Sequence, residues 1–162
     1  MNYYGKKSLT SMLKIILNIL LIIGIGLFIY LSINLLSKQE NYTLSKYIVF
    51  SLFTIGSISL MFIILNLRKI LDSLIYENPF IIDNVKRLKK IAIECFIITF
   101  CYIINFIINL NYKNFEFVSI DAKGIHTDME FLIFLFSGCF ILVLSNIFEH
   151  AVKVKEENDL TI

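Results

Sequence analysis

Four long apolar stretches, separated by shorter polar segments, dominate the pattern of the chain. They cover residues 13–36, 47–67, 91–110 and 129–148. Each is close to the ~20 residues that a helix needs to cross the ~30 Å hydrocarbon core of a bilayer. Strands are excluded as spans because the stretches lack the alternation of a barrel, and lipid leaves an open sheet edge unsatisfied. The pattern predicts an all-α membrane protein with four transmembrane helices in an up-down bundle of two helical hairpins.

The composition supports the lipid bilayer as the solvent. Of the 162 residues, 57% are hydrophobic and 17% are charged, against a usual apolar share of ~45–50%. A soluble domain of this length has too much surface to bury so many apolar side chains. We therefore expect one integral membrane domain over residues 1–162. The scarcity of charge and cysteine argues against disorder, direct nucleic acid binding and a disulfide scaffold.

Lysine and arginine are unevenly distributed among the segments outside the stretches. With Lys14 counted on the N-terminal side, 11 of 15 lie before the first stretch, between the second and third, or in the tail. The positive-inside rule then predicts that both termini and the middle segment are cytoplasmic. The first stretch is too long for a signal peptide and no cleavage site follows it, so we expect a retained span. The abundance of Ile, Asn, Lys and Phe indicates an AT-rich bacterial genome and hence a bacterial plasma membrane.

The middle segment predicts a cytoplasmic helical elbow between helices 2 and 3. Apolar residues at positions 70, 71, 74 and 75 continue the second helix beyond the membrane. Asn78 and Pro79 then break it, because the residue before a proline is pushed out of the α region. A new helix is expected to begin near Asp83 or Asn84, whose side chain can cap free N–H groups. The candidate interaction residues of this elbow are Asn78, Pro79, Phe80, Asn84 and Arg87.

A basic run at the start of the third helix has two interpretations. Lys86, Arg87, Lys89 and Lys90 could fix the topology and anchor anionic lipid, at ~1 kcal/mol for each residue near the surface. They could instead form a docking surface for an acidic partner. The tail, residues 149–162, is net negative, so a contact between tail and elbow is electrostatically favourable, although exposed pairs contribute little each. The Phe80 ring is expected to pack against the helix ends or to dip into the interface.

Polar groups inside the spans need a partner or a role. A charge at the centre of a span costs ~2.5–3.5 kcal/mol. Glu94 lies at the same depth in the third span as Lys14 in the first, so we expect an intramembrane Lys14–Glu94 pair, with proton-coupled function as the alternative.

The residues that most often carry chemistry form no catalytic or metal-binding pattern in the sequence. All three cysteines fall within spans and are expected to be small packing residues, neither disulfide partners nor metal ligands. There is no HExxH, GxSxG or phosphate-loop motif. We therefore expect no enzymatic activity and no cofactor. The outer segment 111–128 contains enough apolar residues to lie on the outer interface or to cover the bundle as a cap.

Two cytoplasmic motifs resemble those of a known bacterial family. They are residues 67–74 (LRKILDSL) followed by Asn78-Pro79-Phe80, Asn84 and Arg87-Leu88, and residues 156–162 (EENDLTI) after the last span. Together with the layout of the spans they resemble the domain of unknown function 2975 family. A glycine usually precedes the Pro-Phe pair in this family; Asn78 stands here, and asparagine also accepts left-handed turn geometry. The resemblance implies a four-span bacterial membrane protein without an established activity, often encoded beside a small helix-turn-helix regulator.

The leading functional hypothesis is a membrane-located regulatory or sensing partner of a cytoplasmic transcriptional regulator of the helix-turn-helix type. The distinctive residues are predicted to face the cytoplasm, whereas the spans have the composition of ordinary helix packing. The alternative is a small self-immunity or transport-associated membrane protein that acts as a homo-oligomer.

Overall fold

Four long helices form most of the structure. The computed structural model describes residues 9–37, 44–75, 79–109, 119–121, 124–126 and 129–159. The helices are α1 (Leu9–Ser37), α2 (Leu44–Ile75), α3 (Ile82–Asn109) and α4 (Glu130–Asp159). Each is long and apolar enough to cross a membrane. The prediction of four helices of membrane-spanning length is therefore confirmed.

The helices extend furthest beyond the apolar stretches at the end of α2, the start of α3 and the end of α4. α2 continues to Ile75, and α3 begins at Ile82, next to the predicted start at Asp83 or Asn84. Residues 79–81 between them are not helical, so the predicted break is confirmed at Pro79, while Asn78 lies outside the described residues. α4 runs to Asp159, because the lysine and glutamate residues that follow its apolar part are good helix formers.

Contacts between neighbouring helices show their relative directions. α1 packs against α2, with Lys14 bonded to Asp72 near one end and the Phe28 ring stacked on Phe53 further along. The residue numbers rise on α1 as they fall on α2, so the two helices run in opposite directions.

Contacts also show the relative directions of α2 and α3 and of α3 and α4. Asn84 of α3 is bonded to Ser73 of α2, and Val49 and Asn105 line one cleft near the opposite ends of these helices. α3 and α4 are joined by Lys89 with Glu149 and by Tyr102 with Phe134. Both pairs are therefore antiparallel.

The helices form an open row in the order α1, α2, α3, α4. In the part of the chain that the structure describes, α1 contacts neither α3 nor α4, and α2 does not contact α4. A closed four-helix bundle would require α1 to pack against α4. The predicted bundle is thus replaced by an open row, in which α3 is the most buried helix and α1 exposes apolar side chains along its length.

Two short strands follow α3 within the segment predicted as a cap. β1 (Ser119–Asp121) pairs with β2 (Gly124–His126) in antiparallel register, with Ile120 opposite Ile125. This hairpin was not predicted from the sequence. The rest of the predicted cap lies outside the described residues.

Candidate functional site

The densest set of polar contacts lies where α2 ends and α3 begins. We define the junction as the end of α2 from Ile70, residues 79–81, α3 up to Lys90, and α4 from Ser145 onward. Two backbone hydrogen bonds shape the connection. The Ile81 N–H donates to the Pro79 carbonyl at 3.2 Å, and the Asn84 N–H donates to the Ile81 carbonyl at 3.0 Å. These bonds close the first turn of α3 directly after the proline, which itself has no N–H to donate.

Asn84 joins three parts of the junction through a single side chain. Its Nδ2 donates to Ser73 Oγ at 2.5 Å and to the Pro79 carbonyl at 2.8 Å. Ser73 Oγ in turn donates to the Ile70 carbonyl at 2.7 Å. The Asn84 residue is only 1% exposed. Its Oδ1 is buried without a hydrogen-bond partner among the described residues. The Asn84 side chain therefore supports the junction from inside and is not part of its exposed surface.

Within the junction, α4 packs against residues 79–81 and the start of α3 through small and aromatic side chains. Ser145 is fully buried, and its Oγ donates to the carbonyl of Val85 at 3.2 Å. The Phe80 and Phe148 rings have centroids 5.6 Å apart. This contact agrees with the expectation that Phe80 packs against the helix ends. Phe80 is nevertheless 42% exposed, so one part of the ring stays available at the surface.

Charged residues also join α3 to α4 within the junction. The Lys89 ammonium donates to Glu149 Oε2 at 2.7 Å, and Lys153 lies 3.3 Å from Glu149 Oε1. The expected contact between the basic run and the tail is thus present at Lys89 and Glu149. Arg87, another predicted interaction residue, is half-buried on α3.

The predicted Lys14–Glu94 pair does not form. Lys14 is bonded to Asp72 of α2, and α1 makes no contact with α3 among the described residues. The order of the row puts α2 between the two helices. Asp72, to which Lys14 is bonded, precedes Ser73, which is bonded to Asn84 at the start of α3, so Glu94 lies ten residues, or about 15 Å, further along that helix. Asp72 is therefore the nearest carboxylate that Lys14 can reach.

A shallow cleft of about 370 Å³ lies between α2 and α3, away from the junction. Its lining is mainly apolar, with Ser57, Tyr102 and Asn105 as polar members. Cys101 lines it as well and is buried, as is Cys95, whereas Cys139 is exposed on α4. The described residues contain no group of three or more His, Cys, Asp or Glu side chains that could hold a metal ion.

A family model described as protein of unknown function (DUF2975) matches residues 30–162 of the chain. The chain belongs to this family. The match confirms the resemblance that the two sequence motifs carried. No curated protein and no solved structure matches the chain.

The region shared with the DUF2975 family includes every residue of the junction. It covers α2, α3 and α4 in full and α1 from Tyr30 onward. Residues 9–29 of α1, which include Lys14, lie outside the matched region. The junction is therefore a property of the family-matched part of the chain, and the Lys14–Asp72 ion pair connects a preceding segment to it.

Sequence reasoning missed the residues of α4 that complete the junction. The buried residues of this helix are Gly138, Ser145 and Val152. They recur every seven residues, which places them along one line of the helix. Small side chains at this spacing favour close approach of a neighbouring helix, so the repeat was a usable signal. Ser73 gave no such signal because one serine near a helix end has many ordinary roles.

Proposed function

We propose that the chain is a multi-pass protein of the bacterial plasma membrane and that its junction is the cytoplasmic elbow, where a cytoplasmic transcriptional regulator of the helix-turn-helix type binds. The observation that carries the proposal is the buried Asn84 network, which holds α2, the connection and α3 in one fixed arrangement. Binding surfaces benefit from such support because less ordering is required when the partner arrives.

The distribution of charge supports this orientation. Basic residues concentrate around the junction, and the positive-inside rule places such segments in the cytoplasm. The apolar side chains exposed along the helices are compatible with a lipid environment.

Several exposed groups of the junction suit a protein partner. Phe80 and Ile82 are exposed apolar residues beside the exposed Lys86. The last turns of α4, residues 153–159, are exposed as well. An apolar centre with charged groups around it is the usual anatomy of a protein interface. The proposed type of regulator rests on the resemblance of the two cytoplasmic motifs to the DUF2975 family.

Affinity capture with a matched pair of phenylalanine variants tests this proposal. The detergent-solubilised protein is used to capture partners from a native lysate, and any helix-turn-helix protein recovered is then purified and tested for direct binding. Phe80→Ala removes the exposed ring at the junction, and Phe100→Ala removes an exposed ring from the middle of α3. We expect Phe80→Ala to reduce recovery of the regulator at least tenfold and Phe100→Ala to leave it unchanged. Failure to recover a regulator with the unmodified chain, or equal recovery by both variants, would contradict the proposal.

The open row favours one alternative function, that of an oligomeric self-immunity or transport-associated protein. α1 and α4 lie at the two edges of the row, and no contact joins them among the residues that the structure describes. A second copy could pack against either edge, so chemical cross-linking in membranes would reveal oligomers. Under this alternative a deletion strain would be more sensitive to membrane-active peptides, and transcription would not change.

A further inference from the structure

One face of α3 is left uncovered by its neighbours. Ile93, Phe100 and Ile107 are 55%, 63% and 61% exposed. They are spaced seven residues apart, or about two helical turns, and so lie along one line of the helix. The described contacts of α3 are with α2 and α4, on other sides of the helix. The result is a continuous apolar stripe.

The same stripe ends in positive charge at the junction. Lys86 lies seven residues before Ile93, and Lys90 lies three residues before it, so both share this face. Both lysines are exposed. At a rise of about 1.5 Å per residue, Ile93 follows Lys86 by about 10 Å along the axis and Phe100 follows Ile93 by about the same distance. One face of α3 therefore carries positive charge at its junction end and apolar side chains beyond it.

Neighbouring charges leave this end of the face positive. Lys89 and Lys153 hold the Glu149 carboxylate between them at 2.7 Å and 3.3 Å. Asp83 lies 3.9 Å from Lys86, and Glu94 follows Lys90 by four residues, about one turn along α3. Four ammonium groups thus face three carboxylates, one of which is already occupied by two lysines.

We propose that this face of α3 binds one anionic phospholipid, with its phosphate at Lys86 and Lys90 and its acyl chains along Ile93 and Phe100. Charge complementarity selects an anionic headgroup over a zwitterionic one. The apolar stripe selects a lipid over inorganic phosphate, which would gain nothing from contact with Ile93 or Phe100. The order of the two parts also matches the ligand, since a phospholipid carries its charge next to its chains.

Native mass spectrometry of the purified full-length chain tests the site. The protein is loaded from mixed micelles containing phosphatidylglycerol or phosphatidylcholine with identical acyl chains. We expect the unmodified chain to retain one phosphatidylglycerol and at least tenfold less phosphatidylcholine. Lys86→Gln with Lys90→Gln should lower retention of phosphatidylglycerol at least tenfold, and Lys86→Arg with Lys90→Arg should preserve it.

A charge-matched control separates the site from the net charge of the protein. Arg68→Gln with Lys69→Gln removes the same charge from α2 and should leave retention unchanged. Equal losses in both glutamine double variants, equal retention of the two lipids, or displacement of phosphatidylglycerol by millimolar inorganic phosphate would each overturn the proposal. Circular dichroism confirms that every compared variant keeps its helices.

Discussion

Asn84 holds the junction together through the donor side of its amide. Its two N–H groups are directed at Ser73 Oγ and at the Pro79 carbonyl, and the side chain is almost completely buried. A buried polar group that loses its partner costs about 1–3 kcal/mol. These bonds join α2, residues 79–81 and α3, so their loss weakens the packing of all three segments.

Replacing Asn84 should therefore destabilise the protein in a defined order. Asn84→Ala is expected to lower the free energy of unfolding by about 1–3 kcal/mol, because the Pro79 carbonyl loses a buried donor. Asn84→Asp should cost more at pH 7, since an ionised carboxylate cannot donate and is itself buried. Thermal unfolding in detergent measures both, with the exposed Lys86→Ala as the control expected to stay within about 0.5 kcal/mol. An aspartate variant as stable as the unmodified chain would contradict this account.

The sequence indicates that Asn84 lies at a helix start, but not how its amide is used. A helix-capping asparagine accepts bonds from backbone N–H groups through its oxygen. Here the nitrogen donates instead, since tertiary packing brings the Ser73 hydroxyl and the Pro79 carbonyl to it. Pro79 and Phe80 were easier to interpret, because a proline after a polar residue and an apolar ring in a turn each carry their own physical constraint.

The contact between α3 and α4 depends on a small residue at one point of close approach. A Cβ added to Gly138 would lie 2.9 Å from Phe96 Cε1 and 3.2 Å from Cys95 Cβ. The phenylalanine ring can swing aside, whereas the cysteine Cβ is fixed to its helix. Gly138 is therefore required by packing, and not by any unusual backbone conformation.

Two alanine substitutions compare this packing with ordinary helix propensity. Gly138→Ala should destabilise the protein by about 1–3 kcal/mol, because the added methyl group overpacks the contact between α3 and α4. Gly56→Ala places a methyl group where, apart from the adjoining backbone of α2, no atom of the described residues lies within 4 Å, so it should be neutral or stabilising by up to about 1 kcal/mol. Thermal unfolding of both variants in one detergent decides the matter; equal effects would show that α3 and α4 do not approach this closely at Gly138.

The existence of four helices could be predicted from the sequence, but not the faces by which they pack. Apolar residues surround most of each span, so periodicity cannot distinguish a lipid-facing side from a protein-facing one. Where polarity returns, prediction improves: the amphipathic end of α2 and the start of α3 were placed within one or two residues of Ile75 and Ile82. The seven-residue spacing of Gly138, Ser145 and Val152 is the signal that could have identified the packed face of α4.

At the scale of the whole molecule, the order of the helices decides which predicted contacts can exist. Position within an apolar stretch gives only a coarse depth, and it paired Lys14 with Glu94, whereas the contacts place Lys14 beside Asp72, close to the level of Asn84 at the start of α3. Lateral order cannot be inferred in this way, because apolar helices of similar composition have no ranking of partners. The open row places α2 beside α1, so Asp72 bonds Lys14.

The central claim is that the chain spans the plasma membrane with the junction on its cytoplasmic side. Cysteine labelling in intact cells measures this most directly, in a variant whose native Cys95, Cys101 and Cys139 are replaced by alanine. We expect Gln39→Cys and Lys123→Cys to react with an impermeant maleimide from outside the cell. Lys86→Cys and Lys155→Cys should react only after the membrane is permeabilised. Labelling of Lys155→Cys in intact cells would contradict the orientation, and with it the binding of a cytoplasmic regulator at the junction.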